Sequence, residues 1–143
     1  MAGIEVPVEL SSVSAYLLNR HGSRRELSVR ELDVLDAFAT DIVNDIADRW
    51  PVDTSTSRDA FTFTIDGEGI GFTIENDADY AEWIHRAGEP ADPPLWETLI
   101  PEVFESYRGD LVAAMKAAID ETEAELAAAK PKDRRKVLTR RAA

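Results

Sequence analysis

The sequence predicts an α+β domain: a small antiparallel sheet, made of an N-terminal edge strand and a central β-hairpin, packed against an amphipathic helix and a long C-terminal helix. Three observations carry this. Apolar and polar residues alternate over positions 4–10, and again over 61–65 and 70–74. Apolar residues recur at steps of three and four over 32–50, and the same helical spacing returns over 104–126.

In chain order, Ile4, Val6, Val8 and Leu10 alternate with Glu5, Pro7 and Glu9, the pattern of a strand with one buried face. Pro7 has no N–H to give a second neighbour, which places the strand at a sheet edge. A short helix is expected over 13–18, followed by a turn at His21-Gly22-Ser23. His21, flanked by Arg20, Arg24 and Arg25, reads as an exposed turn residue. Ser28-Val29-Arg30-Glu31 is a capping box, in which the Ser hydroxyl and the Glu carboxylate each satisfy a backbone N–H, so a helix begins there. Leu32, Leu35, Ala39, Ile42, Val43, Ile46 and Trp50 form its apolar stripe, and Pro51 ends it. Its aspartates, without histidine support or a ligand loop, read as a solvated face rather than a metal site.

The strands at 61–65 and 70–74 are joined by Asp66-Gly67-Glu68-Gly69 as a hairpin, with Phe61, Phe63, Ile65, Ile70, Phe72 and Ile74 sharing one face. Gly67, Gly69 and Gly71 do not make a phosphate loop, because neither the required lysine nor a helix follows. A short helix through Tyr80, Trp83 and Ile84 is expected to end near Gly88, with His85 as a packing or partly exposed residue, and 89–94 forms a loop. From Pro101, a favoured first helical residue, the stripe Phe104, Tyr107, Leu111, Met115, Ala118, Thr122 and Leu126 holds to about Ala129, with Gly109 a candidate interruption. Its acidic last turns, 120–129, are expected to overhang the core and to need solvent or a neighbouring subunit, with Leu126 at that interface.

Composition narrows the function. The chain has 143 residues, no cysteine and two histidines, with a formal charge of −12 from 28 acidic and 16 basic residues. One domain over residues 1–129 fits this length. Disulfides, thiol nucleophiles, cysteine-ligated zinc and three-histidine metal sites are excluded by residue type. The remaining carboxylates are too abundant to single out an acid–base pair, so no enzyme activity, cofactor or metal is expected. No apolar run approaches the ~20 residues of a membrane span, and the first residues lack the pattern of a secretory signal, so a soluble protein made in the cytoplasm is expected.

Charge is uneven along the chain. Residues 130–143 carry Lys130, Lys132, Arg134, Arg135, Lys136, Arg140 and Arg141 against Asp133, a net of +6, which leaves −18 on residues 1–129. An acidic body is a poor grip for a phosphate backbone. The basic tail either attracts phosphate or an acidic neighbour, or is a solvated terminus.

Three stretches, read in order, resemble one known family. Trp50-Pro51-Val52-Asp53-Thr54, Ser57-Arg58-Asp59-Ala60-Phe61, and Ile74 through Asn76, Tyr80, Ala81 and Trp83 to Ile84 with Gly88 are similar to the tail-component family of tailed phages. That family runs a helix into Pro-Val-Asp-Thr-Gly, then an Arg-containing strand start, a hairpin, and Asn-x-x-x-Tyr-Ala. Ser55 stands where the family usually has glycine, so the turn after Thr54 can differ in shape. In physical terms the motif is structural. Pro51 stops the helix beside Val52, Asp53 or Thr54 hydrogen-bonds the turn, Arg58 pairs with nearby acids, and Tyr80 and Ala81 pack the short helix on the hairpin.

The resemblance implies a neck or tail-completion protein of the virion. Assembled in the host cytoplasm, it would form a ring, a hexamer by expectation, around the DNA channel. It would join the head connector or stopper to the tail terminator or tube, with DNA passing unbound. On this reading the interface falls at Leu126, Arg134, Arg135, Lys136, Arg140 and Arg141. A tail terminator is the alternative within virion proteins, and a small acidic mimic of nucleic acid is the alternative from another class. Twelve arginines against four lysines, with the acid excess, suit a halophilic archaeal or a GC-rich bacterial host.

Overall fold

A computed structural model of the chain describes residues 4–50, 60–67, 70–76 and 95–139. The α+β class is as expected. The elements are β1 (Ile4–Glu9), α1 (Ser11–His21), α2 (Val29–Arg49), β2 (Phe61–Asp66), β3 (Gly71–Asn76), α3 (Leu95–Ala128), a 3-10 turn (Pro131–Asp133) and α4 (Arg134–Thr139).

The sheet has the order β1-β3-β2, antiparallel throughout, so β1 is an edge strand as Pro7 requires. The Leu10 N–H donates to Ile70 O at 3.0 Å, continuing the register that sets Val8 opposite Phe72 and Val6 opposite Ile74. By the alternation of an antiparallel ladder, Glu5, Pro7 and Glu9 therefore turn their backbone groups away from β3. Two carboxylates and a missing donor blunt this edge against further strand pairing. Phe63 stands opposite Ile74 and Ile65 opposite Phe72, the shared apolar face expected of the hairpin. The second hairpin strand begins at Gly71 rather than at Ile70, because Ile70 is a turn residue with φ of 52°. A Cβ on Gly71 would lie 2.0 Å from Val8 O, so only glycine lets β1 approach here.

The capping box forms as read: Ser28 Oγ accepts from the Glu31 N–H at 3.1 Å, and Glu31 Oε1 accepts from the Ser28 N–H at 2.7 Å. Helix α2 then lays Leu35, Ala39, Ile42, Val43 and Ile46 into the core. Trp50, 1% exposed at its C-cap, meets Phe61 edge-to-face with ring centroids 4.9 Å apart. Helix α3 crosses the same core with Ile100, Val103, Leu111, Met115 and Ile119, and its Phe104 meets Phe72 edge-to-face.

Four expectations change. Helix α1 is longer than 13–18, running from Ser11 to His21 and closed by Gly22 at φ 89°, whose N–H donates to Leu18 O. Helix α3 starts at Leu95, six residues before Pro101, and passes unbroken through Gly109. At 34 residues it spans ~51 Å. A proline signals a first turn, but it also survives inside a helix whose other bonds and packing hold it. The last turns of α3 do not overhang: Leu126 is 3% exposed within the single chain, and α4 folds back onto α3 and α2. Finally, the basic segment after Lys130 takes a defined form through Thr139, with Val137 buried.

The expected short helix near Tyr80, the loop at 89–94 and His85 lie outside the described residues. So do Pro51, Val52, Asp53, Thr54, Arg58, Ala81, Arg140 and Arg141.

Candidate functional site

The densest polar constellation among the described residues joins α1, the 22–28 connection and the start of α2 to the last turns of α3. It arises from sequence in a simple way. The stretch 20–30 supplies Arg20, His21, Arg25 and Arg30, and α3 supplies Asp120, Glu121, Glu123 and Glu125. On a helix Asp120 and Glu123 share one face and Glu121 and Glu125 an adjacent one, so the acids divide between α1 and α2.

At the centre, the Arg25 guanidinium donates from Nη1 and Nη2 to Glu31 Oε1 and Oε2 at 2.8 and 2.9 Å, and from Nε to Glu123 Oε2 at 2.9 Å. This is bidentate, charge-assisted bonding. The Arg25 side chain is 5% exposed and that of Glu31 is fully buried. His21 Nδ1 lies 3.0 and 3.1 Å from the two oxygens of Glu123. Beside this pair, Ser28 Oγ and Thr122 Oγ1 are 3.0 Å apart and buried.

The flanks are more open. Tyr16 OH donates to Asp120 Oδ1 at 2.7 Å, and Arg20 Nε donates to the same oxygen at 2.8 Å. Arg30 bonds Glu125 at 2.8 Å and faces Glu121 at 3.4 Å, while its buried Nε has no hydrogen-bond partner among the described residues. Arg135 on α4 pairs with Glu26.

Charge balance sets the ionisation. Burial alone would raise the Glu123 carboxyl, but hydrogen bonds from His21 and Arg25 outweigh it and hold the group below its ordinary value. The Arg20 and Tyr16 hydrogen bonds lower Asp120, and the same Asp120 bond raises the Tyr16 phenol. Burial works against the Arg25 charge, yet Glu31 and Glu123 more than restore it. Each central carboxylate is engaged by a cation, and Glu31 also by a backbone N–H. Such a network fastens helices together.

Sequence reasoning placed these groups differently. His21 was expected as an exposed turn residue, but it is half-buried on Glu123. The acids of 120–125 were expected to face solvent or a neighbouring subunit, but they face the cations of 20–30 in the same chain. Leu126, expected at a subunit interface, is buried in the chain's own interior, while Arg134, Arg135 and Lys136 are exposed on α4. Asn76 is buried at the end of β3, opposite Ile4 on one side and Phe61 on the other. Tyr16, Arg25, Glu31 and Glu123 were not singled out as a group. The available signal was two dense runs of opposite charge, 20–30 and 120–125, at the ends of predicted helices.

Among the described residues, no group of three or more metal-ligating side chains is placed to hold an ion, and no helix is long and apolar enough to cross a membrane. An open concavity of about 700 Å³ lies beside the network, between the 22–28 connection and the hairpin end, lined by Arg24, Leu27, Leu32, Ile65 and Gly67. Comparison with protein-family models, with curated proteins and with solved structures gives no match.

Proposed function

We propose that the chain is a structural protein of the head–tail junction of a tailed virus, a neck or tail-completion component that assembles around the DNA channel. The observation that carries this reading is the ordered series of motifs from Trp50 to Gly88, set between an amphipathic helix and a long C-terminal helix. The electrostatics agree with such a role. A body with a large excess of carboxylates offers few cations to replace the counterions of DNA, so a duplex passes without adhering.

The test is genetic and structural together. In the virus that encodes the chain, loss of the protein is expected to leave filled heads and separate tails, and labelled protein is expected at the neck of complete particles. Normally joined particles without the protein would overturn the reading. Label on the head-facing end of separated tails, rather than on the heads, would move the chain to the tail-terminator role. The acidic-mimic reading draws on Asp36, Asp41 and Asp48 along the exposed face of α2. It predicts capture of a basic nucleic-acid-binding protein in competition with DNA, which a neck protein does not show.

A further inference from the structure

Exposed cations without a carboxylate partner are gathered at one place in the chain. Among the described residues, Lys130, Lys132 and Arg134 are exposed and pair with no carboxylate, while Lys136 has only a 3.5 Å contact to Asp133. These cations sit at the turn and helix that fold back beyond the end of α3, tied by Arg135 to Glu26. Of the exposed carboxylates without a cation partner, Asp41 and Asp48 stand in the second half of α2 and Glu97, Glu102 and Asp110 in the first half of α3, while Asp36 lies nearer the start of α2 and Glu5 and Glu9 on β1.

Helices α2 and α3 run antiparallel, since Arg30 reaches Glu125 at one end and Asp45 accepts from Tyr107 OH at the other. The acidic halves are therefore together, and along α2 Asp41 and Asp48 stand ~16 and ~27 Å beyond Arg30, at the end of the pair away from Glu125 and the turn that follows α3. The polar network causes this polarity. It uses up the acids at the C-terminal end of α3 against Arg20, His21, Arg25 and Arg30, so Lys130, Lys132 and Arg134 are left without local counter-charges.

We infer that the chain associates head to tail with a second copy, the basic corner of one seated on the acidic α2–α3 end of the next. It rests on the assembly reading above for self-association, and adds which surfaces meet. One chain carries both complementary patches, and at ~16–27 Å along the helix, beyond a Debye length of ~8 Å, they cannot neutralise each other internally. At ~0.15 M salt the Debye length is ~8 Å, so the net charge of the two bodies is screened while charges in contact still attract. Two different patches meet, so the contact is heterologous, and its repetition closes a ring or extends a filament. A patch as small as α4 and its turn gives a contact dominated by electrostatics and steeply dependent on salt.

The experiment is sedimentation velocity on the full chain and two charge-reversed variants, with circular dichroism confirming each fold. One variant carries Lys130→Glu, Lys132→Glu and Arg134→Glu; the other carries Asp41→Lys, Asp48→Lys and Glu102→Lys. The wild type is expected to assemble at ~0.15 M salt and to dissociate at ~1 M. Each variant alone is expected to associate about tenfold or more weakly, and an equimolar mixture of the two to assemble again. A wild type that stays monomeric at ~0.15 M, a variant that assembles like wild type, or a mixture that stays monomeric would overturn the contact. Capture of DNA by the basic corner, with no rescue on mixing, would also overturn it. Copies that assemble this way without affecting head–tail joining would remove the neck reading alone, whereas a monomer that still joins heads to tails would remove this contact alone.

Discussion

Glu31 accepts both terminal nitrogens of Arg25, and neither side chain reaches beyond 5% exposure. The same carboxylate closes the capping box of α2, so one buried group fixes both the start of a helix and the position of the connection before it.

Removing the guanidinium leaves the buried Glu31 carboxyl with only its backbone bond. Arg25→Ala is therefore expected to cost about 3–5 kcal/mol, a large share of the stability of a domain this size. Arg20→Ala, whose partner Asp120 is about half-exposed, is expected to cost far less, because solvent screens this surface pair. Urea unfolding of the two variants distinguishes the buried pair from the surface one.

Glu31→Gln keeps an acceptor for the Ser28 N–H, since glutamine serves at this position of a capping box, but withdraws the charge from Arg25. Glu31→Ala loses both interactions. The expected order of stability is wild type, then Glu31→Gln, then Glu31→Ala, with about 1 kcal/mol or more between the last two. Equal loss in both variants would show that the cap contributes nothing beyond the ion pair.

Glu123 and Asp120 titrate below their ordinary values of 4.5 and 3.8 in the folded chain. Between the folded and the ordinary value the unfolded chain binds more protons, so stability rises with pH across that window. The contribution is fully present above pH ~4.5 and is lost as pH falls through the folded values. Glu123→Gln is expected to flatten the acid limb of a stability-against-pH curve measured by thermal unfolding.

Two glycines should respond in opposite directions. Gly71→Ala drives a methyl group into Val8 O and is expected to destabilise the β1–β3 ladder by about 2 kcal/mol or more. Gly109→Ala meets nothing within 4 Å in the middle of α3 and is expected to stabilise by about 0.5–1 kcal/mol. Thermal melting of the two variants reads both signs.

Leu126 separates an interior position from an interface one. Leu126→Ala is expected to lower the stability of the isolated chain by about 2–4 kcal/mol at every protein concentration. An interface residue would instead change the association constant and leave the monomer's unfolding midpoint in place.

Local chemistry was legible in the sequence and long-range pairing was not. Ser28 and Glu31 announced the start of α2 because both halves of the capping box lie within one turn. The alternation of Phe61, Phe63 and Ile65 with threonines announced the hairpin, and Pro7 announced the edge of the sheet. The network of Tyr16, Arg25, Glu31 and Glu123 left no such mark, since its partners across α3 are about a hundred positions apart and no periodicity spans that distance. Asp120, Glu121, Glu123 and Glu125 look in isolation like any solvated acidic helix face. The early start of α3 was hidden for another reason: Pro101 carries the signal of a first turn, and that signal reads the same when packing carries the helix past it.

The pairing of residues 16–31 with residues 120–125 also sets a timetable for folding. During synthesis α1 and α2 emerge with their arginines in water and their apolar stripes uncovered, and the groups that complete them come only with the last part of α3. Contacts of such long sequence separation are slow to form, because a large loop must close before any of them is rewarded. A nascent chain halted before Asp120 lacks the acids that fasten α1 and the start of α2 to α3, which makes the stalled product, rather than the finished protein, the form most in need of a chaperone.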